Sequence, residues 1–159
     1  MKEIRTFSAD ETVEIGLILG RTLKSGDIIC LTGDLGTGKT AFTSGIAAAL
    51  GIHGYITSPT FTIVNEYRAT IPLYHFDVYR IADSEEMFEI GFEEYLDGDG
   101  IVVIEWAETI SDILPSEHIS VEIKKDNKLG SDARIISIEF KGNKYEGYQD
   151  KLLKGSLVK

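Results

Sequence analysis

Residues 33–40 read Gly33-Asp34-Leu35-Gly36-Thr37-Gly38-Lys39-Thr40. This is the pattern G-x-x-x-x-G-K-T of a phosphate-binding P-loop. The apolar run 28–31 before it predicts a buried strand, and the alanine-rich segment 41–50 after it predicts a helix that ends at Gly51. Strand, glycine-rich loop and helix follow in the order that a P-loop requires. We therefore expect a nucleotide-binding protein.

The residue types of this loop suit a bound polyphosphate. Its backbone N–H groups and the positive end of the following helix dipole attract phosphate oxygens. The Lys39 ammonium can reach the β and γ phosphates, and the Thr40 hydroxyl can ligate Mg2+. The predicted nucleotide-binding set is the loop and the residue after it: Gly33, Asp34, Leu35, Gly36, Thr37, Gly38, Lys39, Thr40 and Ala41.

Length and composition bound the class of protein. The chain has 159 residues, of which 43% are apolar, so we expect a single domain over 1–159. The chain has no run of 18 apolar residues, so no membrane span is predicted, and the N-terminus lacks the apolar core of a signal peptide. We therefore expect a cytoplasmic protein that has no membrane partner. The net charge of −10 disfavours direct contact with nucleic acid.

The rest of the chain alternates strand-like and helix-like segments. Ser8 and Glu11 have capping-box spacing before a helix over 9–24, and the lone cysteine, Cys30, is expected to pack in a core. Further strands are predicted over 61–67, 73–79, 101–104, 119–123 and 134–140, and further helical segments from 83 onward, over 92–96 and over 145–154. The segments 61–67 and 73–79, and likewise 119–123 and 134–140, are predicted to form antiparallel hairpins. The predicted fold class is α/β: a single-domain P-loop NTPase with a mixed, mostly parallel central sheet, flanking helices and antiparallel hairpin additions.

A P-loop NTPase needs a further acid at the end of a neighbouring buried strand. Glu105 follows the apolar run 101–104, which favours it as the acid beside Mg2+, together with Thr40. Asp77 lies in a more polar strand, where it could position water or metal. The alternatives are an exposed strand-end carboxylate for Glu105 and a salt bridge with Arg80 for Asp77. The predicted catalytic residues are thus Lys39, Asp77 and Glu105.

Several other residues allow two interpretations. Ser58-Pro59-Thr60 could form a loop that senses the γ-phosphate, or a plain turn. Arg80 could neutralise charge in the transition state or form an ordinary salt bridge. Trp106 could stack on a base or a partner, or simply be packed. The three histidines have no metal-ligand spacing.

Four segments together resemble one known family. They are residues 33–40, Ser-Pro-Thr-Phe-Thr at 58–62, His-Phe-Asp-Val-Tyr-Arg at 75–80, and Glu-Trp at 105–106. Their order and spacing resemble the TsaE (YjeE) family of small bacterial P-loop ATPases, which are required for making threonylcarbamoyladenosine at position 37 of tRNAs that read codons beginning with A. The resemblance covers roughly residues 7–115 and is weak beyond them.

The resemblance implies ATP and Mg2+ as ligands and a complex with the TsaB and TsaD proteins. It implies that this protein meets tRNA only indirectly, through that complex. It implies that Lys39 and Thr40 bind phosphate and Mg2+, and that Glu105 joins the metal site. Asp77 and Trp106 are implied to be functionally sensitive, and Arg134 to contact the nucleotide region. Low hydrolytic activity is expected without the partners.

Two other functions are compatible with a P-loop in a chain of this size. A small-molecule kinase usually brings several arginines over the phosphates, and this chain has only five: Arg5, Arg21, Arg68, Arg80 and Arg134. The acidic segment 83–99 would also make a poor phosphate lid. A non-hydrolysing nucleotide-binding switch is the second alternative, although an intact set of Lys39, Thr40 and Glu105 favours hydrolysis.

Overall fold

The structure, a computed structural model, describes residues 2–59 and 62–157. The strands are β1 (Lys2–Thr6), β2 (Ile28–Thr32), β3 (Val64–Tyr67), β4 (Leu73–Asp77), β5 (Ile101–Glu105), β6 (His118–Lys125) and β7 (Arg134–Lys141). The α-helices are α1 (Ala9–Thr22), α2 (Lys39–Ala49), α3 (Glu85–Glu89), α4 (Phe92–Leu96) and α5 (Tyr148–Leu157). Two 3-10 helices, Ala107–Ile113 and Asn143–Tyr145, complete the described elements.

The strands form one seven-stranded sheet in the order β1-β7-β6-β2-β5-β4-β3. The four central strands, β6, β2, β5 and β4, are parallel to one another. Antiparallel pairs extend the sheet at both ends, with β3 on β4 at one end and β7 and β1 beyond β6 at the other. The predicted fold class is therefore confirmed, including both hairpins.

Both faces of the sheet carry a hydrophobic core. Alternate residues of β2 and β5 point to opposite faces, so Leu31 and Val103 pack with α1 and α2 while Cys30 and Ile104 pack with α3 and α4. Because both faces are covered, every residue of β5 is buried. The prediction that Cys30 lies in a core is confirmed, since 3% of its surface is exposed.

The structure corrects three element predictions. The strand β1 was not predicted; it is half exposed, carries charged residues and pairs with β7 at the sheet edge. The 3-10 helix after Trp106 was also not predicted. The last helix begins at Tyr148 rather than at residue 145, because Gly147 has a φ of 87° and interrupts the helical path. Part of the predicted strand 61–67 and the predicted loop residue Thr60 lie outside the described residues.

Within the described part of the chain, no helix combines the length and the apolar composition needed to cross a bilayer.

Candidate nucleotide-binding site

The central parallel strands end at one edge of the sheet, and the predicted site residues meet there. The strand β2 leads into the P-loop, while Asp77 and Glu105 are the last residues of β4 and β5. Asp77 and Glu105 are register partners, and Glu105 is also opposite Leu31 of β2. Carboxyl ends of parallel strands are where α/β sheets bind ligands. The sheet thus places two carboxylates beside the P-loop.

The P-loop backbone has a conformation that glycine permits. Gly33, Gly36 and Gly38 have φ values of 144°, 76° and 112°. A Cβ at Gly33 would lie 2.4 Å from the carbonyl oxygen of Ile123. The helix α2 begins immediately after Gly38, and this N-cap residue has no side chain that could cap the helix. Its first N–H groups therefore remain available to an anionic ligand.

The Lys39 side chain contacts the first residues of the P-loop. Its Nζ donates hydrogen bonds to the carbonyl oxygens of Gly33, at 2.6 Å, and Asp34, at 2.9 Å. Burial lowers the pKa of Lys39, and the carboxylates of Glu105, Glu108, Asp77 and Asp34 oppose that shift. The Lys39 ammonium therefore has four carboxylates around it. Their negative charge would repel a phosphate that binds without a cation.

Thr40 and Glu105 face each other across the gap between the P-loop and β5. The Thr40 hydroxyl lies 3.5 Å from Oε1 of Glu105. The other carboxylate oxygen, Oε2, is hydrogen-bonded to Nε2 of His75 on β4. Glu105 is 3% exposed, so the alternative of an exposed strand-end carboxylate is wrong. Mg2+ prefers such oxygen ligands and is usually held by one or two of them together with phosphate and water. The donor set fits this ion.

Asp77 is held by two hydrogen bonds. Its Oδ2 accepts a hydrogen bond from the Ser58 hydroxyl, and its Oδ1 accepts one from the backbone N–H of Tyr79 at 3.0 Å. The segment around Ser58 is therefore connected to the strand-end carboxylate. Arg80 lines the same cavity.

Trp106 lies over the P-loop lysine. Its ring centroid is 4.2 Å from Nζ of Lys39 and 4.7 Å from the ring centroid of Tyr79. Its φ of 62° is in the left-handed region, which a bulky residue rarely adopts. Cation–π attraction of this kind is favourable by about 0.5–2 kcal/mol. The structure therefore places Trp106 at the cavity, where it also packs against the hydrophobic core of one sheet face.

Arg134, at the start of β7, contacts the opposite flank of the loop. Its Nε donates to the carbonyl oxygen of Thr37 at 2.8 Å, and its Nη2 is 3.4 Å from the carbonyl oxygen of Gly36. Arg134 thus contacts the loop backbone 97 residues away in sequence.

A cavity of about 440 Å3 lies at the meeting point of these elements. This volume falls within the range of about 300–1,000 Å3 that is usual for small-molecule sites. Of the predicted site residues, it is lined by Leu35, Gly36, Gly38, Lys39, Thr40, Ala41, Asp77, Glu105 and Trp106. The predicted residues Gly33, Asp34 and Thr37 line a neighbouring cavity of about 680 Å3, and Arg134 lines a small one of about 70 Å3 on the other flank.

Two contacts of this site were not predicted from the sequence. His75 received no role because it was judged only as a metal ligand, yet it bonds Glu105. Glu108 was not considered, although it lies near Lys39 and burial raises its pKa. A polar residue two positions before Asp77 on the same strand face was the available signal for His75.

The chain is similar to known proteins over most of its length. The family model of "Threonylcarbamoyl adenosine biosynthesis protein TsaE" matches residues 6–136, which extends the resemblance well beyond residue 115. The chain is 44% identical, over 149 residues, to the tRNA threonylcarbamoyladenosine biosynthesis protein TsaE of Bacillus subtilis, covering 92% of this chain and 91% of that protein. It is 43% identical to the protein of the same name from Treponema pallidum, covering 74% of this chain and 87% of the other.

A solved structure supports the same assignment. The crystal structure of YdiB from Bacillus subtilis superposes with a TM-score of 0.83 at 38% identity, covering 98% of this chain and 95% of that one. A shared P-loop alone would not extend over so much of both chains. The matched family model, the sequence relatives and the shared fold together show that the chain belongs to the TsaE family.

Proposed function

We propose that this protein is a Mg2+-dependent ATPase that supports formation of threonylcarbamoyladenosine in tRNAs that read codons beginning with A, in a complex with TsaB and TsaD. The observation that carries the proposal is the 3.5 Å approach of the Thr40 hydroxyl to the Glu105 carboxylate beside Lys39. This arrangement gives one cavity a phosphate-binding loop and a pair of oxygen ligands. Family membership supports the tRNA-modification pathway.

Several residues of the cavity have a role in this proposal. The loop N–H groups and the start of α2 bind the phosphates, and Lys39 exchanges its two carbonyl partners for β and γ phosphate oxygens. Thr40 and Glu105 would hold Mg2+, which when bound supplies positive charge for the triphosphate and its transition state. Asp77, fixed by Ser58 and the Tyr79 N–H, would orient water.

The charges around Lys39 explain why the metal should be required. Four carboxylates, from Asp34, Asp77, Glu105 and Glu108, act on the Lys39 ammonium. A triphosphate would add further negative charge to this group of acids. We therefore expect ATP to bind much more weakly without Mg2+ than with it.

Two observations support action through partners. Leu35 and Tyr79 line the cavity, yet they are 80% and 58% exposed. Apolar side chains at a cavity mouth are suited to being covered by another protein. The net charge of −10 disfavours direct binding of tRNA, so TsaB and TsaD would hold the nucleic acid. The cytoplasm is the compartment in which we expect this complex.

The neighbouring cavity of about 680 Å3 favours one alternative, a small-molecule kinase. It shares Leu35 and Trp106 with the first cavity and carries both acids and lysines, including Glu108, Glu122 and Lys124. A second substrate could bind there, next to the P-loop. Phosphorylated product in a screen of metabolites would support this alternative.

The test is Mg2+-dependent ATP hydrolysis by the protein alone and with purified TsaB and TsaD. Lys39→Ala serves as the control. We expect slow hydrolysis alone, stimulation by the pair, and loss of both activities in the control. Fast turnover by the isolated protein, or ATP binding that does not respond to the partners, would contradict the proposal.

A further inference from the structure

His75 is a buried polar residue in direct contact with the proposed metal site. Its side chain is 0% exposed, and its Nε2 is hydrogen-bonded to Oε2 of Glu105. Its other ring nitrogen, Nδ1, is buried and has no hydrogen-bond partner among the described residues. A buried ring nitrogen without a partner is unfavourable, and an apolar residue of similar size would avoid that cost. The bond to Glu105 is therefore what the imidazole provides at this position.

The sheet register explains how this contact forms. His75 and Asp77 point to the same face of β4, since they are two residues apart. His75 is opposite Val103 on β5, so Glu105 is its diagonal neighbour on that face. Both side chains come from rigid central strands. The geometry of the pair is thus set by the sheet, whereas that of Thr40 depends on the loop and helix.

The two oxygens of Glu105 have different partners. Oε2 is bonded to His75, while Oε1 faces the Thr40 hydroxyl at 3.5 Å. A glutamate side chain has several rotatable bonds, and a hydrogen bond to one carboxylate oxygen restricts where the other oxygen points. Outer hydrogen bonds of this kind commonly orient metal-ligating carboxylates.

We propose that His75 is a positioning residue that holds Glu105 so that Oε1 faces Thr40, at the place where Mg2+ would bind. This inference rests on the proposed ATPase function of the same site. It assigns His75 no contact with the nucleotide. Loss of the bond should therefore weaken metal binding and turnover while leaving nucleotide binding without metal intact.

Two variants separate positioning from packing. His75→Gln keeps an N–H donor near the place of Nε2, whereas His75→Met fills a similar volume without a donor. Mn2+ binding to the complex with a non-hydrolysable ATP analogue is measured by electron paramagnetic resonance. The Mg2+ concentration that gives half-maximal hydrolysis and the metal-free affinity for the analogue are measured in parallel.

We expect His75→Met to weaken Mn2+ binding and raise the half-saturating Mg2+ concentration by about 10–100-fold, with an unchanged metal-free affinity for the analogue. His75→Gln should recover most of that loss. Equal Mn2+ affinity in His75→Met and the wild type would overturn the proposal, as would an equal loss in both variants. The Mn2+ measurement keeps this test separate from the proposed function, because failure of the wild type to hydrolyse ATP would count against that function alone.

Nuclear magnetic resonance of the wild-type protein covers the case in which His75→Met does not fold. The Nε2–H of His75 should give an exchange-protected imidazole signal that persists in the complex with Mg2+ and the ATP analogue. The same signal should shift in Glu105→Gln. Absence of a protected signal, or no response to Glu105→Gln, would overturn the proposal.

Discussion

Replacing Gly33 by alanine should destabilise the protein more than the same change at Gly36. Both glycines have positive φ, so alanine carries a backbone cost of about 1–2 kcal/mol at Gly36, where φ is 76°, and at least as much at Gly33, where φ is 144°. At Gly36, apart from the two chain neighbours, no atom of the described residues lies within 4 Å of the new Cβ. At Gly33 the Cβ would lie 2.4 Å from the carbonyl oxygen of Ile123 and 2.9 Å from Oγ1 of Thr37. The Ile123 oxygen belongs to the backbone of β6, which cannot move aside cheaply.

The added clash at Gly33 should cost about 1–3 kcal/mol, as overpacking generally does. The expected loss of unfolding free energy is thus about 3 kcal/mol for Gly33→Ala and about 1 kcal/mol for Gly36→Ala. Urea denaturation of both variants and the wild type measures the difference. Equal destabilisation by the two substitutions would refute the reasoning, because it would mean that contact with Ile123 does not constrain the loop.

Two further predictions concern buried groups outside the site. Burial raises the pKa of the Cys30 thiol to about 12, so at about pH 8 roughly one thiol in 10,000 is the reactive thiolate, and iodoacetamide should label Cys30 only in denaturant. Labelling of the native protein at the rate of a free thiol would contradict this. Tyr148 donates a 2.9 Å hydrogen bond to buried Asp27, so Tyr148→Phe should cost about 1.5–3 kcal/mol of unfolding free energy.

The penalty for Tyr148→Phe should also grow as the pH rises. Burial raises the pKa of Asp27, and the Tyr148 hydrogen bond opposes that shift. Because the pKa of Asp27 is raised in the folded state, ionisation of Asp27 reduces the free energy of unfolding as the pH rises. Phe at 148 would raise the pKa of Asp27 further and so enlarge this loss. Denaturation at about pH 4 and about pH 7 should show the larger penalty at the higher pH. A penalty that is independent of pH would contradict this assignment.

The sequence predicted the parts of the fold that local patterns determine. The capping-box spacing of Ser8 and Glu11 is realised, with the Glu11 N–H donating to Ser8 Oγ at 3.1 Å. The continuous apolar run 101–104 correctly predicted the strand β5. A strand that is buried on both faces is apolar throughout and does not alternate polar with apolar residues. The edge strand β1 was not predicted, because its apolar pattern is weak and its partner strand β7 lies more than 120 residues away in sequence.

The contacts of the site that the sequence could not predict depend on how the strands are placed against each other. Glu105 was identified from its place after an apolar run. Its bond to His75 depends on the register of β4 against β5, across 30 residues, and no local pattern reports register. The bond from Arg134 to the P-loop likewise depends on the placement of β7, and the sequence resemblance suggested it only as a contact near the nucleotide.

The most direct measurement of the central claim is single-turnover cleavage of ATP by wild-type protein and Glu105→Gln, each with Mg2+, TsaB and TsaD. Glutamine keeps the shape of the side chain but removes the charge beside Thr40. We expect both proteins to bind ATP and Glu105→Gln to cleave it about 100-fold more slowly. Cleavage at the wild-type rate by Glu105→Gln would contradict the role given to Glu105. Absence of cleavage in the wild type would instead favour a non-hydrolysing nucleotide switch.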